Sequence, residues 1–246
     1  MKRKVLIASG CSCTNELFSS DHHHDMDCTW PKWPELLAEK LDMDFINLGH
    51  SGAGNEYIYS SILHQIAEIN LDDIGLVIPA WTQAQRKDIK VRGTWRHLDA
   101  VRNYPYQKHI VQHGDINYRV EQSLLFYYSL QEICKSKKIP LYQFQMLPMF
   151  LGFDWDPVLK KHTSGDQEES KRILQSFYSN PYYDQIDDTF LGWPTENYLG
   201  GFNIKMDVLY GYEEKGLPYQ ISEIDTHPNA IGQIKIAEYI YEKINE

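Results

Sequence analysis

Lys4-Val5-Leu6-Ile7-Ala8-Ser9, followed at once by Gly10-Cys11-Ser12-Cys13-Thr14, is a short apolar run that breaks on a glycine and a hydroxyl. An apolar stretch without polar alternation predicts a strand buried on both faces, as in a parallel sheet covered by helices. In such a sheet the functional crevice lies at the carboxyl ends of the strands, so Ser12, just past the run, sits where chemistry belongs. A serine that leaves a strand and opens a helix exposes its hydroxyl there, and the helix amino terminus favours developing negative charge.

The pattern recurs downstream. Asp44 to Leu48 predicts a second strand and Gly75 to Ala80 a third. Pro34 to Met43 carries Leu36, Leu37 and Leu41 on one helical face, and Asn55 to Asn70 carries Ile58, Ile62, Ile66 and Ile69 at the spacing of a helix packed on a sheet. A helix from Val120 to Lys137, with Leu124, Leu130 and Cys134 inward, leads to a fourth strand over Pro140 to Leu147. Tyr219 to Ile224 predicts a fifth strand, and Ala230 to Ile244 a last helix with Ile234, Ala237, Tyr241 and Ile244 inward. Strands alternating with helices predict a flavodoxin-like three-layer α/β/α sandwich around a parallel sheet of about five strands. Residues 1–246 read as one such domain with insertions at about 83–118 and 148–218. The second insertion carries a helix near Glu168 to Tyr178 and an aromatic loop, Gly192 to Phe202, able to cover the crevice.

A chain of 246 residues can hold itself together by its core alone, burying roughly 70–75% of its unfolded surface. The four cysteines, Cys11, Cys13, Cys28 and Cys134, have no zinc-site spacing and read as reduced thiols of a cytoplasm-like compartment. The apolar stretch near the amino terminus, Val5 to Ala8, is too short for a signal-peptide core or a membrane span. With 24 Lys and Arg against 34 Asp and Glu the formal charge is −10, which disfavours general nucleic-acid binding. Arg86 to Arg119 is a basic island of eight cations against three Asp, read as a solvated face. The run His22-His23-His24 holds good metal ligands, but adjacent histidines in a polar loop seldom converge on one ion, so no metal or other cofactor is expected. Trp81, Trp95, Trp155 and Trp193 fall in loop regions, where they serve either sugar stacking or core packing.

A serine hydroxyl needs a base to become a nucleophile, and His227 is the best of ten histidines. Pro228 biases His227 toward extended backbone, where residues i and i+2 point the same way, so Asp225 can orient its imidazole. These residues carry a resemblance: Gly10-Cys11-Ser12 resembles the Gly-Asp-Ser opening of the SGNH, or GDSL-like, hydrolase family. Asn47-Leu48-Gly49-His50-Ser51-Gly52 resembles its second block and Asp225-Thr226-His227-Pro228 its last. The chain is most similar to the small SGNH-like proteins of phage and bacteria. The resemblance implies that Ser12 is the acyl nucleophile, that the Gly52 amide lines the oxyanion hole, and that Asp225 and His227 complete a triad.

Three departures stand out. Cys11 replaces an Asp, and the terminal Asp-x-x-His has contracted to Asp-x-His, a form similar to SGNH-like polysaccharide acetyltransferases. The Gly-x-Asn-Asp block expected after the third strand is replaced by Pro79-Ala80-Trp81-Thr82, so a side-chain oxyanion donor is missing. Asn55, three residues beyond Gly52, is the favoured substitute, with Thr82 and then Gln83 behind it. The expected function is a serine esterase acting on a small acyl ester or an O-acylated sugar, as an O-deacetylase or O-acetyltransferase. A binding or structural module on a decayed SGNH scaffold is the alternative. A nucleotide-binding protein fits poorly, since no Gly-rich phosphate loop follows the first strand.

Overall fold

Val5–Ser9 (β1) lies in the middle of a sheet and is buried from Leu6 onward. Asp44–Asn47 (β2) pairs with it on one side and Ile74–Trp81 (β3) on the other, both parallel. The computed structural model describes residues 2–84, 86–98, 116–149, 155–156, 161–162, 175–193, 202–210 and 217–246. Trp33–Lys40 (α1) follows β1, Asn55–Glu68 (α2) follows β2, and the antiparallel hairpin Lys87–Val91 (β4) and Thr94–Leu98 (β5) follows β3. Ile116–Lys137 (α3) precedes Phe144–Gln145 (β6), a short pair Trp155–Asp156 (β7) and Lys161–His162 (β8) comes next, and Ala230–Asn245 (α4) is the last helix. The main sheet runs β2-β1-β3-β6, all parallel, a doubly wound order with its switch beside β1.

Alternation along the strands divides the core. Leu6, Ala8, Leu76 and Ile78 pack with Trp33, Leu37, Ile236 and Ile240 of α1 and α4. Ile7, Val77 and Trp81 face the other way, onto Ile58, Ile62 and Ile66 of α2 and Leu124, Tyr127 and Leu130 of α3. Each fully buried isoleucine of α2 contributes about 1.5–3 kcal/mol, enough to fix that helix on the sheet. The result is the expected three-layer α/β/α sandwich. Among the described residues no helix is long and apolar enough to cross a membrane.

Several expectations are corrected. Among the described residues the main sheet has four strands, against the about five expected. Tyr219 to Ile224 makes no strand there; Gln220 forms only an antiparallel bridge to Pro228. The edge beyond β6 is covered instead by residues 189–191, through Gln143 N to Thr189 O (2.7 Å) and Leu191 N to Gln143 O (2.8 Å). In α4 Ala237, Tyr241 and Ile244 pack on the core as expected, but Ile234 is 44% exposed and Gln233, Ile236 and Ile240 complete the inward face. Gln233 sets that rotation: its Oε1 accepts from Trp33 N (2.8 Å) and its Nε2 donates to Cys13 O (3.0 Å). Most of the helix expected over Glu168 to Tyr178, most of the Gly192 to Phe202 loop and the Trp155 side chain lie outside the described residues.

Candidate active site

Ser12 sits past β1 in a turn closed by Thr14 N and Asn15 N, which donate to Cys11 O at 2.9 and 3.1 Å. The helix expected to open at Ser12 is this one turn. The next carbonyls, which would accept helical bonds, are spent elsewhere: Cys13 O on Gln233 Nε2 (3.0 Å) and Thr14 O on Asn47 Nδ2 (2.7 Å). A helix dipole therefore does not act on the Ser12 hydroxyl.

Residues 220–229 fold back on themselves beside that turn. Ile221 N donates to His227 O, Ser222 N to Asp225 O and Asn229 N to Tyr219 O, each at 3.0 Å. Asn229 caps α4, its side chain accepting from Gly232 N at 2.9 Å. The helix start thus falls on Asn229, which leaves Asp225 and His227 free for the crevice. His227 Nε2 lies 2.8 Å from Ser12 Oγ, and its Nδ1 lies 2.6 Å from Asp225 Oδ1. A carboxylate only accepts, so Nδ1 carries the hydrogen and Nε2 of the neutral ring accepts from the Ser12 hydroxyl. Ser12 and His227 are half-buried, and Asp225 is 2% exposed. Burial alone would raise the Asp225 pKa. Hydrogen bonds from Ser20 and His227, with the His227 charge, outweigh it and hold the carboxyl below its ordinary range.

The loop after β2 lies against the Ser12 turn. His50 N donates to Gly10 O (3.0 Å) and Asn15 Nδ2 to Ser51 Oγ (2.9 Å). A Cβ on Gly49 would stand 2.7 Å from the Thr14 carbonyl carbon, so only glycine allows this approach. Gly52 has a φ of +80°, the left-handed region that favours glycine. Among the described residues neither the Ser12 nor the Gly52 amide donates to another group.

Asn55, the favoured substitute donor, is buried and fully engaged. Its Oδ1 accepts from Thr82 N (2.9 Å), and its Nδ2 reaches Thr82 O (3.2 Å), Ser123 Oγ (3.0 Å) and Tyr127 OH (3.2 Å). The amide thus fixes the backbone at the end of β3 and has no hydrogen left for a ligand. Thr82 differs: its hydroxyl is buried with no partner among the described residues. The Gln83 side chain accepts from Arg86 Nε at 3.0 Å. Trp81 fills no crevice; it packs in the core on Tyr127 and donates from Nε1 to Gln143 Oε1 at 3.0 Å.

Two participants are invisible in the sequence. Asp88, on β4, is buried and accepts from Gly54 N (2.9 Å), Tyr57 N (2.7 Å) and His97 Nδ1 (2.6 Å), so it caps α2 from outside and pins the Gly52 loop. Ser20 donates to Asp225 Oδ2 at 2.5 Å. No local signal marks either one, since Gly54 and Tyr57 lie more than 30 residues from Asp88 and Asp225 lies 205 from Ser20. The basic island is not wholly a solvated face: Arg119 is 7% exposed, and the half-buried Arg86 donates from Nη1 to Ala53 O at 3.2 Å. All four cysteines are free and buried. The hydrogen bond with Cys11 and burial push the Cys13 thiol well up, which keeps it protonated. A cavity of about 600 Å³ near Lys135, Tyr142 and Asp187 shares no residue with this crevice.

A family model described as a family of unknown function, DUF6071, matches residues 21–159, more than half of the chain. No curated protein matches. Among solved structures, a catalytic mutant of Axe2, an acetylxylan esterase from Geobacillus stearothermophilus, superposes with a TM-score of 0.52 at 10% identity, over 100% of this chain and 95% of that one. A protein assigned to the G-D-S-L lipolytic family from Desulfitobacterium hafniense DCB-2 superposes with a TM-score of 0.50 at 15% identity, over 98% and 99%. At these identities the likeness shows the fold alone, a three-layer α/β/α sandwich shared with these two proteins.

Proposed function

The chain belongs to the DUF6071 family of unknown function, and on this hydrolase fold we propose that it acts as a serine esterase on small acyl esters. The whole chain is read as the catalytic unit, with the segments at about 83–118 and 148–218 as insertions. One observation carries the reading: the continuous chain Ser12 Oγ, His227 Nε2, His227 Nδ1, Asp225 Oδ1, at 2.8 and 2.6 Å. Ser12 attacks the ester carbonyl while His227 takes its proton. As the tetrahedral intermediate collapses, the carbon–oxygen bond to the alcohol breaks and His227 returns the proton to it. Water then attacks the acyl-serine with His227 again as base, releasing the acid. Asp225 holds the ring in the required tautomer. The Ser12 and Gly52 amides face the oxyanion, with the Thr82 hydroxyl as the side-chain donor that Asn55 cannot supply. No step calls on a cofactor. An O-acetylated sugar is the substrate class in keeping with the acetylxylan esterase of similar fold.

The missing Asn after β3 favours a second reading, a binding module on the same scaffold. Labelling by a fluorophosphonate separates the two. The esterase is labelled at Ser12, and Ser12→Ala abolishes labelling and lowers ester hydrolysis by about 10³-fold or more at a nearly unchanged melting temperature. An unlabelled native protein excludes the esterase, and a Ser12→Ala variant with full activity removes Ser12 from the role of nucleophile.

A further inference from the structure

The segment from Phe18 to His24 wraps the far side of the Asp225–His227 turn. Phe18 packs its ring on the His227 imidazole, centroids 4.5 Å apart. Ser20 is 3% exposed, and its hydroxyl oxygen accepts from His22 N (3.2 Å) and His23 N (3.0 Å). Its lone pairs are thereby used, and its one proton goes to Asp225 Oδ2 at 2.5 Å. His23 adds a second clasp: Nε2 lies 2.8 Å from Ser222 Oγ, which itself accepts from Asp225 N at 3.1 Å.

We propose that Ser20 is a positioning residue of this site, a fourth member beyond Asp225 that fixes the carboxylate so that Oδ1 stays on His227. The role rests on the esterase reading above. A carboxylate buried to 2% exposure has two oxygens to satisfy. His227 takes one through both its ring and its backbone amide (3.1 Å), and Ser20 is the side chain that takes the other. Without that donor Oδ2 is a buried, unsatisfied acceptor, and the carboxylate rotates or protonates to relieve it. Either change loosens the imidazole from the geometry in which Nε2 faces Ser12. The charged and titratable groups around Asp225 are His227, His23 acting through Ser222, and Lys205, whose Nζ donates to Thr226 Oγ1 at 2.9 Å. None of these three replaces the Ser20 hydrogen bond on Oδ2.

The test compares native protein with Ser20→Ala and Ser20→Cys, which keeps the size and a weak donor, in aryl-ester hydrolysis and in the downfield proton NMR signal of His227 Nδ1–H. Ser20→Ala is expected to lower kcat on the order of 10- to 100-fold with little change in KM. The acid limb of its kcat/KM profile moves to higher pH, and the downfield signal weakens. Ser20→Cys falls between the two. A purely structural role would lower the melting temperature and leave the acid limb in place. Native kcat, acid limb and NMR signal in Ser20→Ala overturn the inference while leaving the esterase standing. Native protein without Ser12-dependent hydrolysis overturns the esterase, and the NMR signal then still reports whether Ser20 holds Asp225.

Discussion

Asp225 carries two duties on one carboxylate, with one oxygen on the imidazole and the other on Ser20. Its pKa is held down in the folded state, so it stabilises the fold above the unfolded carboxylate value of about 3.9 and loses that contribution as pH falls through the folded value. The melting-temperature advantage of native protein over Asp225→Asn should therefore shrink as pH is lowered from 5 toward 2. At neutral pH the same variant should lose activity on the order of 10⁴-fold, because an amide no longer dictates the tautomer of His227. Thr82 offers a sharper separation of function from stability. Among the described residues its buried hydroxyl has no partner, so Thr82→Val should melt no lower than native protein. If that hydroxyl meets the oxyanion, kcat falls roughly 100- to 1000-fold in the same variant. The Asp-x-His pair was legible because extended chain places i and i+2 on one side. Asn55 was misjudged by a local argument: its distance from Gly52 is visible in sequence, while Ser123 and Tyr127, which absorb its amide, are not.

The β4–β5 hairpin supplies a contact that helix α2 lacks on its own. Helix α2 begins at Gly54 with no side-chain cap of its own, and Asp88 supplies the missing acceptor from across the chain. Asp88→Ala leaves two backbone amides and the His97 ring hydrogen without their partner, and should cost about 3 kcal/mol in denaturant unfolding. A loss well under 1 kcal/mol would show that water replaces the carboxylate at no penalty. Periodicity revealed α2 well, since Ile58, Ile62 and Ile66 all face the core. It failed at Tyr219 to Ile224, where an alternating pattern was taken for a strand. That alternation serves a folded-back turn instead, with Ile221 and Asn229 amides bonded across it, and the turn is what presents His227.

Across the molecule, the layered plan was readable because the buried strands and amphipathic helices each leave a local trace. The crevice was readable only in part, since its contacts join segments with no common local pattern. Ser12 and His227 are separated by 215 positions, and Ser20 and Asp225 by 205. That separation has a temporal meaning during synthesis. At about 5–20 residues per second, the ribosome makes the Ser12 turn on the order of 10 to 40 s before His227. Throughout that interval Ser12 has no His227 beside it, so on the proposed esterase reading a nascent chain cannot yet hydrolyse esters. The Ser12–His227 pair would therefore assemble late in translation, once both segments have been made and docked.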